Sequence, residues 1–113
     1  GPIKFRLRQN IRYIIRMHVA VCRLTLRLPE NHDLKGKRSA IGSLCSRIRN
    51  KFNVSVAEVD DSDAWQVAIL GITCASNDAA HADKIISTVV KFITSSREEV
   101  EIIDQEQELI SGF

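Results

Sequence analysis

Between Met17 and Gln107 the spacing of the apolar residues changes four times, from two to the helical 3.6 and back, twice over. Each change of period ends one element and begins another, so the order of elements can be read before their packing is considered. Residues 17–28 alternate, with Ala20, Cys22, Leu24, Leu26 and Leu28 on one face and Val19, Val21, Arg23, Thr25 and Arg27 on the other, which predicts a strand. Pro29-Glu30-Asn31-His32-Asp33 is turn-forming. Ile41, Leu44, Cys45, Ile48 and Phe52 then recur on one helical stripe and predict a helix over 36–51. Phe52 to Asp60 returns to period two, Asp60-Asp61-Ser62-Asp63 supplies a turn, and residues 64–76 come back as a second hairpin strand. Ser76-Asn77-Asp78 caps a second helix over 78–95, carried by Ala82, Ile85, Ile86, Val89, Val90 and Ile93. Residues 100–107 read as a last, acidic strand.

The order β-α-β-β-α-β predicts an α+β fold of the ferredoxin-like plan, a four-stranded antiparallel sheet with both helices on one face. The other face is left open, and Val19, Val21, Trp65, Val67 and Ile69 fall on it. That is more apolar surface than a solitary domain usually exposes, so dimerisation, a covering N-terminal segment or a ligand is expected there, with Val21, Trp65 and Val67 as the interface of a homodimer. With 113 residues the chain has room for one core, expected over 17–113. Residues 1–16 stand apart as a basic extension or a tag remnant, since the chain opens Gly1-Pro2 and its one methionine is Met17, where the domain is expected to begin. No stretch approaches the roughly 18 apolar residues of a membrane span. The three cysteines form no C-x-x-C pair and fit a reducing cytoplasm.

A formal net charge of +2 conceals a division. Residues 1–52 carry thirteen Lys and Arg against two acids, +11, whereas residues 53–113 carry three against twelve, −9. On a helical wheel, Arg47 and Lys51 flank one edge of the first helix's apolar stripe and Arg38 and Arg49 the other, with Ser39, Ser43, Ser46 and Asn50 behind them. Small polar residues between cations let a phosphate backbone approach closely, and Lys35 and Lys37 add charge at the helix start. These six cations are the candidate nucleic-acid contacts; the plainer alternative is a charged face that only keeps the protein in solution.

Several blocks also resemble the small bacterial YlxP-like proteins, a family of unknown function. They are Leu34-Lys35-Gly36-Lys37-Arg38, Phe52-Asn53-Val54-Ser55-Val56-Ala57-Glu58-Val59, Trp65-Gln66, Leu70-Gly71, and Ser76-Asn77-Asp78 with His81, spread over about 17–109. The resemblance implies the same ferredoxin-like fold and a bacterial cytoplasmic setting. Such proteins are often encoded beside translation-initiation and ribosome-maturation genes, which implies RNA or a ribosomal particle as partner. The family usually has Ser where this chain has Asp33, a carboxylate expected to oppose anion binding, and a polar or acidic residue where it has Gly36.

Other chemistries find less support. Trp65 could stack a base from the open face, but Arg23 and Arg27 stand where an RNA-recognition motif would place stackers, so packing or an interface is the better reading. Asp60, Asp61 and Asp63 lack the glycine and distal glutamate of a calcium loop and read as a hairpin turn. His18, His32 and His81 match no ligand spacing, and Cys22, Cys45 and Cys74 fall on core faces, so neither zinc nor a Cys-His nucleophile is expected. Acylphosphatases share the topology, but their Gly-rich phosphate loop is missing. The expectation is a non-enzymatic protein with no cofactor, no metal and no identified small-molecule substrate. Deletion of residues 1–16 should leave the thermal midpoint nearly unchanged; a fall beyond about 10 °C, over about 1 kcal/mol, would show that they support the sheet.

Overall fold

The computed structural model describes residues 16–60, 64–96 and 99–113. Its elements are β1 (His18–Arg27), α1 (Leu34–Lys51), β2 (Ser55–Glu58), β3 (Val67–Ser76), α2 (Ala79–Thr94) and β4 (Glu101–Ile110). The strands form one antiparallel sheet in the order β2-β3-β1-β4, which is the ferredoxin-like α+β arrangement. Residues 1–15 and the turn residues 61–63 lie outside the described residues, and with them the reading of a separate N-terminal segment.

The core follows the alternation. Ala20, Cys22, Leu24 and Leu26 of β1 stand beside Cys74, Ile72, Leu70 and Ala68 of β3, and all are buried beneath the helices. Against them α1 brings Ile41, Leu44, Cys45 and Ile48, and α2 brings Ala82, Ile86, Val89 and Ile93. Each large aliphatic side chain so buried contributes about 1.5–3 kcal/mol relative to exposure. The helices divide the sheet unequally: α1 packs against β2, while α2 lies over β1 and β3 and reaches β4 only weakly.

The first helix starts two residues earlier than the periodicity predicts, because Asp33 is its N-cap. The Asp33 carboxylate accepts from the Gly36 N–H at 2.6 Å, satisfying one of the donors that a helix start leaves open. Asp78 does the same for the second helix, accepting from His81 N–H at 3.2 Å. Gly36 sits in a tight spot, where a Cβ would run into the amide oxygen of Asn31 and stand 2.9 Å from Asp33 Oδ1. Glycine at position 36 thus has a local reason in the Asn31 and Asp33 side chains folded over it.

The hairpin is shorter than its β-branched run suggests, since only Ser55–Glu58 pair with Leu70–Thr73. Trp65 lies in the turn before β3, not on the open face of a strand. The last strand is longer than predicted and carries a bulge: Thr25 pairs with Asp104 but Leu26 with Ile102, so Ile103 is the extra residue. The bulge restores parity, placing Ile102 on the helix side and Glu101 opposite Arg27. Asp33→Ala should cost about 1 kcal/mol of stability, read by thermal unfolding, while Asp33→Ser keeps most of the cap. Gly36→Ala should destabilise despite alanine's roughly 1 kcal/mol advantage in helices, because the crowding outweighs it.

Candidate functional site

The six predicted cations separate into exposed and engaged groups. Helix α1 contains no Asp or Glu, and its outward surface presents Lys35, Arg38, Ser39, Gly42, Ser43, Ser46, Arg49, Asn50 and Lys51. Near its C-terminal end the side chains rest on aromatic faces, with Lys51 Nζ 5.0 Å and the Arg47 guanidinium carbon 5.7 Å from the Phe92 ring centre. Phe92 meets Phe52 edge-on at 5.5 Å. Arg47 is half-buried by this packing. Arg49 uses one terminal nitrogen to donate to the Val56 carbonyl at 2.9 Å, pinning α1 to β2, and the remaining donors of its five N–H groups are available to a ligand.

Lys37 does not belong to the exposed set. It is 2% exposed, and its ammonium donates to the carbonyls of Ala64 at 2.9 Å and Val67 at 3.1 Å, with Glu58 Oε2 at 3.7 Å. The reason is its place on the wheel, four residues before Ile41 and seven before Leu44, on the apolar stripe itself. The spacing held this signal, and the charge alone obscured it. An ammonium so enclosed has no surface to offer a phosphate.

Lys37 belongs to a polar cluster that ties the loop after β1 to the loop before β3. The Asn31 side-chain amide donates to the carbonyls of Asp33 at 2.7 Å and Trp65 at 2.5 Å. The Gln66 amide donates to the Asn31 carbonyl at 3.3 Å, and Leu28 N–H to the Gln66 carbonyl at 2.8 Å. Three of the blocks that carry the family resemblance, those holding Lys37, Glu58 and Trp65-Gln66, therefore meet at one end of the sheet. Their contacts bind the chain to itself, with Lys37, Asn31 and Gln66 all donating to backbone carbonyls.

On the open face Val21 and Val67 are half-buried, and Trp65 in its turn is 51% exposed. Val59 folds across the face, so close to Gly71 that a Cβ there would stand 2.9 Å from Val59 Cγ1. Arg23 donates to Glu106 at 2.6 Å and Arg27 to Glu101 at 3.0 Å, pairing the open-face cations of β1 with carboxylates of β4. The sequence reading missed these pairs, although same-face cations on one strand and alternating acids on another were the available sign. Of the expected interface residues, Val21 and Val67 share the open face beside a charged strip, whereas Trp65 lies in the turn before β3.

Burial pushes the thiols of Cys22, Cys45 and Cys74 up, with Cys45 drawn back by Arg49 and raised further by Glu58. They stay protonated at neutral pH and serve as small apolar groups. Among the described residues no group of three His, Cys, Asp or Glu side chains could hold a metal ion. No helix among them is long and apolar enough to cross a membrane.

A family model described as a protein of unknown function (DUF503) matches residues 19–107, which bears out the resemblance drawn from the sequence blocks. The uncharacterised protein YlxP of Bacillus subtilis (strain 168) is 37% identical over 63 residues, covering 56% of this chain and 68% of that protein. Among solved structures, the de novo designed protein Foldit4 aligns with a TM-score of 0.45 at 12% identity, covering 85% of this chain and 97% of that one. A C-terminal segment of the alpha subunit of aIF2 from Pyrococcus abyssi aligns with a TM-score of 0.45 at 13% identity, covering 99% and 59%. These two structural likenesses are too loose to carry an argument. Lys37→Ala should lower stability by about 2–3 kcal/mol, because two carbonyls and Glu58 lose their donor together; calorimetry checks it.

Proposed function

The chain belongs to the family of proteins of unknown function matched over residues 19–107, and within it we propose a non-enzymatic accessory protein that contacts RNA, free or on a ribosomal particle, through phosphate. One observation carries this reading: an eighteen-residue helix with no acidic residue exposes Lys35, Arg38, Arg49 and Lys51 around a surface of serines, glycine and asparagine. A helix face that served only for solubility would ordinarily mix signs and form i, i+4 pairs, and this one does not. Small side chains between the cations let the sugar-phosphate backbone come close, and such contacts position a protein without reading bases.

The acids support the same reading by their location. Glu101, Asp104, Glu106 and Glu108 lie on β4, across the sheet from β2, the strand against which α1 packs. The acid-free helix and the acidic edge strand thus lie at opposite sides of the sheet. A polyanion meets the cations without crossing the acids.

With Lys37 withdrawn and Arg47 held against Phe92, four cations remain as the main contacts. The log of affinity for single-stranded RNA should fall against the log of salt with a slope of about −2 to −3, from roughly −0.7 per phosphate neutralised. Lys35→Ala with Arg38→Ala should reduce the slope by about 1.4, with no change in sequence preference. Filter binding from about 50 to 300 mM salt measures both. No binding of RNA or ribosomal particles at about 50 mM salt would overturn the proposal and leave a homodimer through the face around Val21, Trp65 and Val67 as the reading to pursue.

A further inference from the structure

Strand β4 has the structure of an acceptor. It closes the sheet on the side away from β2, so one of its edges has no neighbouring strand among the described residues. It is ten residues long, about 33 Å, where the opposite edge strand has four. Nine of its ten residues are exposed, on both faces, because the helix layer stops short of it. On the helix side Gln105, Gln107 and Leu109 stand beside the buried Leu24, Cys22 and Ala20 of β1 yet remain in solvent. There α2 contributes Asp83, which accepts from the Gln107 amide at 3.0 Å. Exposed large apolar residues also gather here and at the adjoining chain end: Ile103, Leu109, Ile110, Met17 and Phe113. Natural edges of this length are usually shortened, bulged away or covered; here the bulge at Ile103 leaves residues 104–110 as an unbroken run.

The charges on the strand select the occupant. Glu101 and Glu106 are engaged by Arg27 and Arg23, whereas Asp104 and Glu108 have no ion-pair partner among the described residues. A second copy is disfavoured. In an antiparallel two-fold pairing, residues directly opposite share a face, so centring on Gln105, Glu106 or Gln107 sets two of Asp104, Glu106 and Glu108 against each other, or Glu106 against itself.

We propose that the free edge of β4 binds an extended cationic segment of a partner protein, which adds as a fifth strand. Main-chain hydrogen bonds to the edge supply affinity, and alternate side chains supply selectivity. Lys or Arg at every second position meets Asp104, Glu106 and Glu108, while the aliphatic residues between them cover Leu109 and Ile102 on the helix side. The alternation distinguishes this partner from a plain polycation.

The test uses the full chain and three fluorescein-labelled nonapeptides: alternating Lys and Val, the same residues with the lysines grouped, and alternating Glu and Val. Anisotropy at about 150 mM salt should show the first bound at least about tenfold more tightly than either other, and hydrogen exchange should slow along β4 and not β2. Asp104→Lys with Glu108→Lys should reverse the preference toward the Glu-Val peptide. Asp104→Asn with Glu108→Gln, a milder pair should the first fail to fold, should abolish the preference. Equal binding of the grouped peptide, an unchanged preference in either variant, or protection on β2 would overturn the proposal, as would a dimer in sedimentation that competes with the peptide.

Discussion

Two helices can cover only one face of a sheet, and β1 lies where that constraint acts most strongly. Its residues Ala20, Cys22, Leu24 and Leu26 are fully inaccessible, packed beneath α2 within the one core that both helices share. Because a strand has period two, burying this set commits Arg23 and Arg27 to the uncovered face. Cations on an exposed strand face favour carboxylates directly opposite on the neighbouring strand, and β4 provides Glu106 and Glu101 in register. The bulge at Ile103 is what keeps that register past Asp104. The acidity of the last strand and the irregularity in its pairing are thus consequences of what β1 buries.

The helix layer explains the remainder of the charge distribution. With α1 packed against β2 and α2 over β1 and β3, the outward surface of α1 carries no burial requirement and can be given wholly to cations and small residues. The opposite edge is reached only weakly, by α2, so its inward positions tolerate Gln105 and Gln107 where an aliphatic residue would otherwise stand. One fold therefore presents a cationic helix surface and an acidic sheet edge, separated by the width of the sheet.

The fold was legible because its signal is periodic and repeated over long segments: the alternation of residues 17–28 and the stripes of Ile41 to Phe52 and Ala82 to Ile93 each average over many positions. The ends of elements were less legible, since they turn on single side chains. Asp33 as N-cap moved the start of α1, and Trp65 proved to belong to a turn because Asn31 holds its carbonyl. The candidate site was legible by charge but not by role. Lys35, Arg38, Arg49 and Lys51 are exposed as the wheel implies, whereas Lys37 looked equivalent until its phase relative to Ile41 and Leu44 was given more weight than its charge. Pairings between distant strands, such as Arg23 with Glu106, depend on a register that no local pattern fixes.

The enclosure of Lys37 has a kinetic side. Its ammonium is covered by the turn before β3 and by Glu58, and it reaches solvent only when that turn lifts from the start of α1. Any reagent that consumes a free amine therefore modifies this lysine at a rate set by the population of the lifted state, while Lys35 and Lys51 react at once. The ratio of the two rates is a clock for the opening of one corner of the molecule, readable without unfolding the rest.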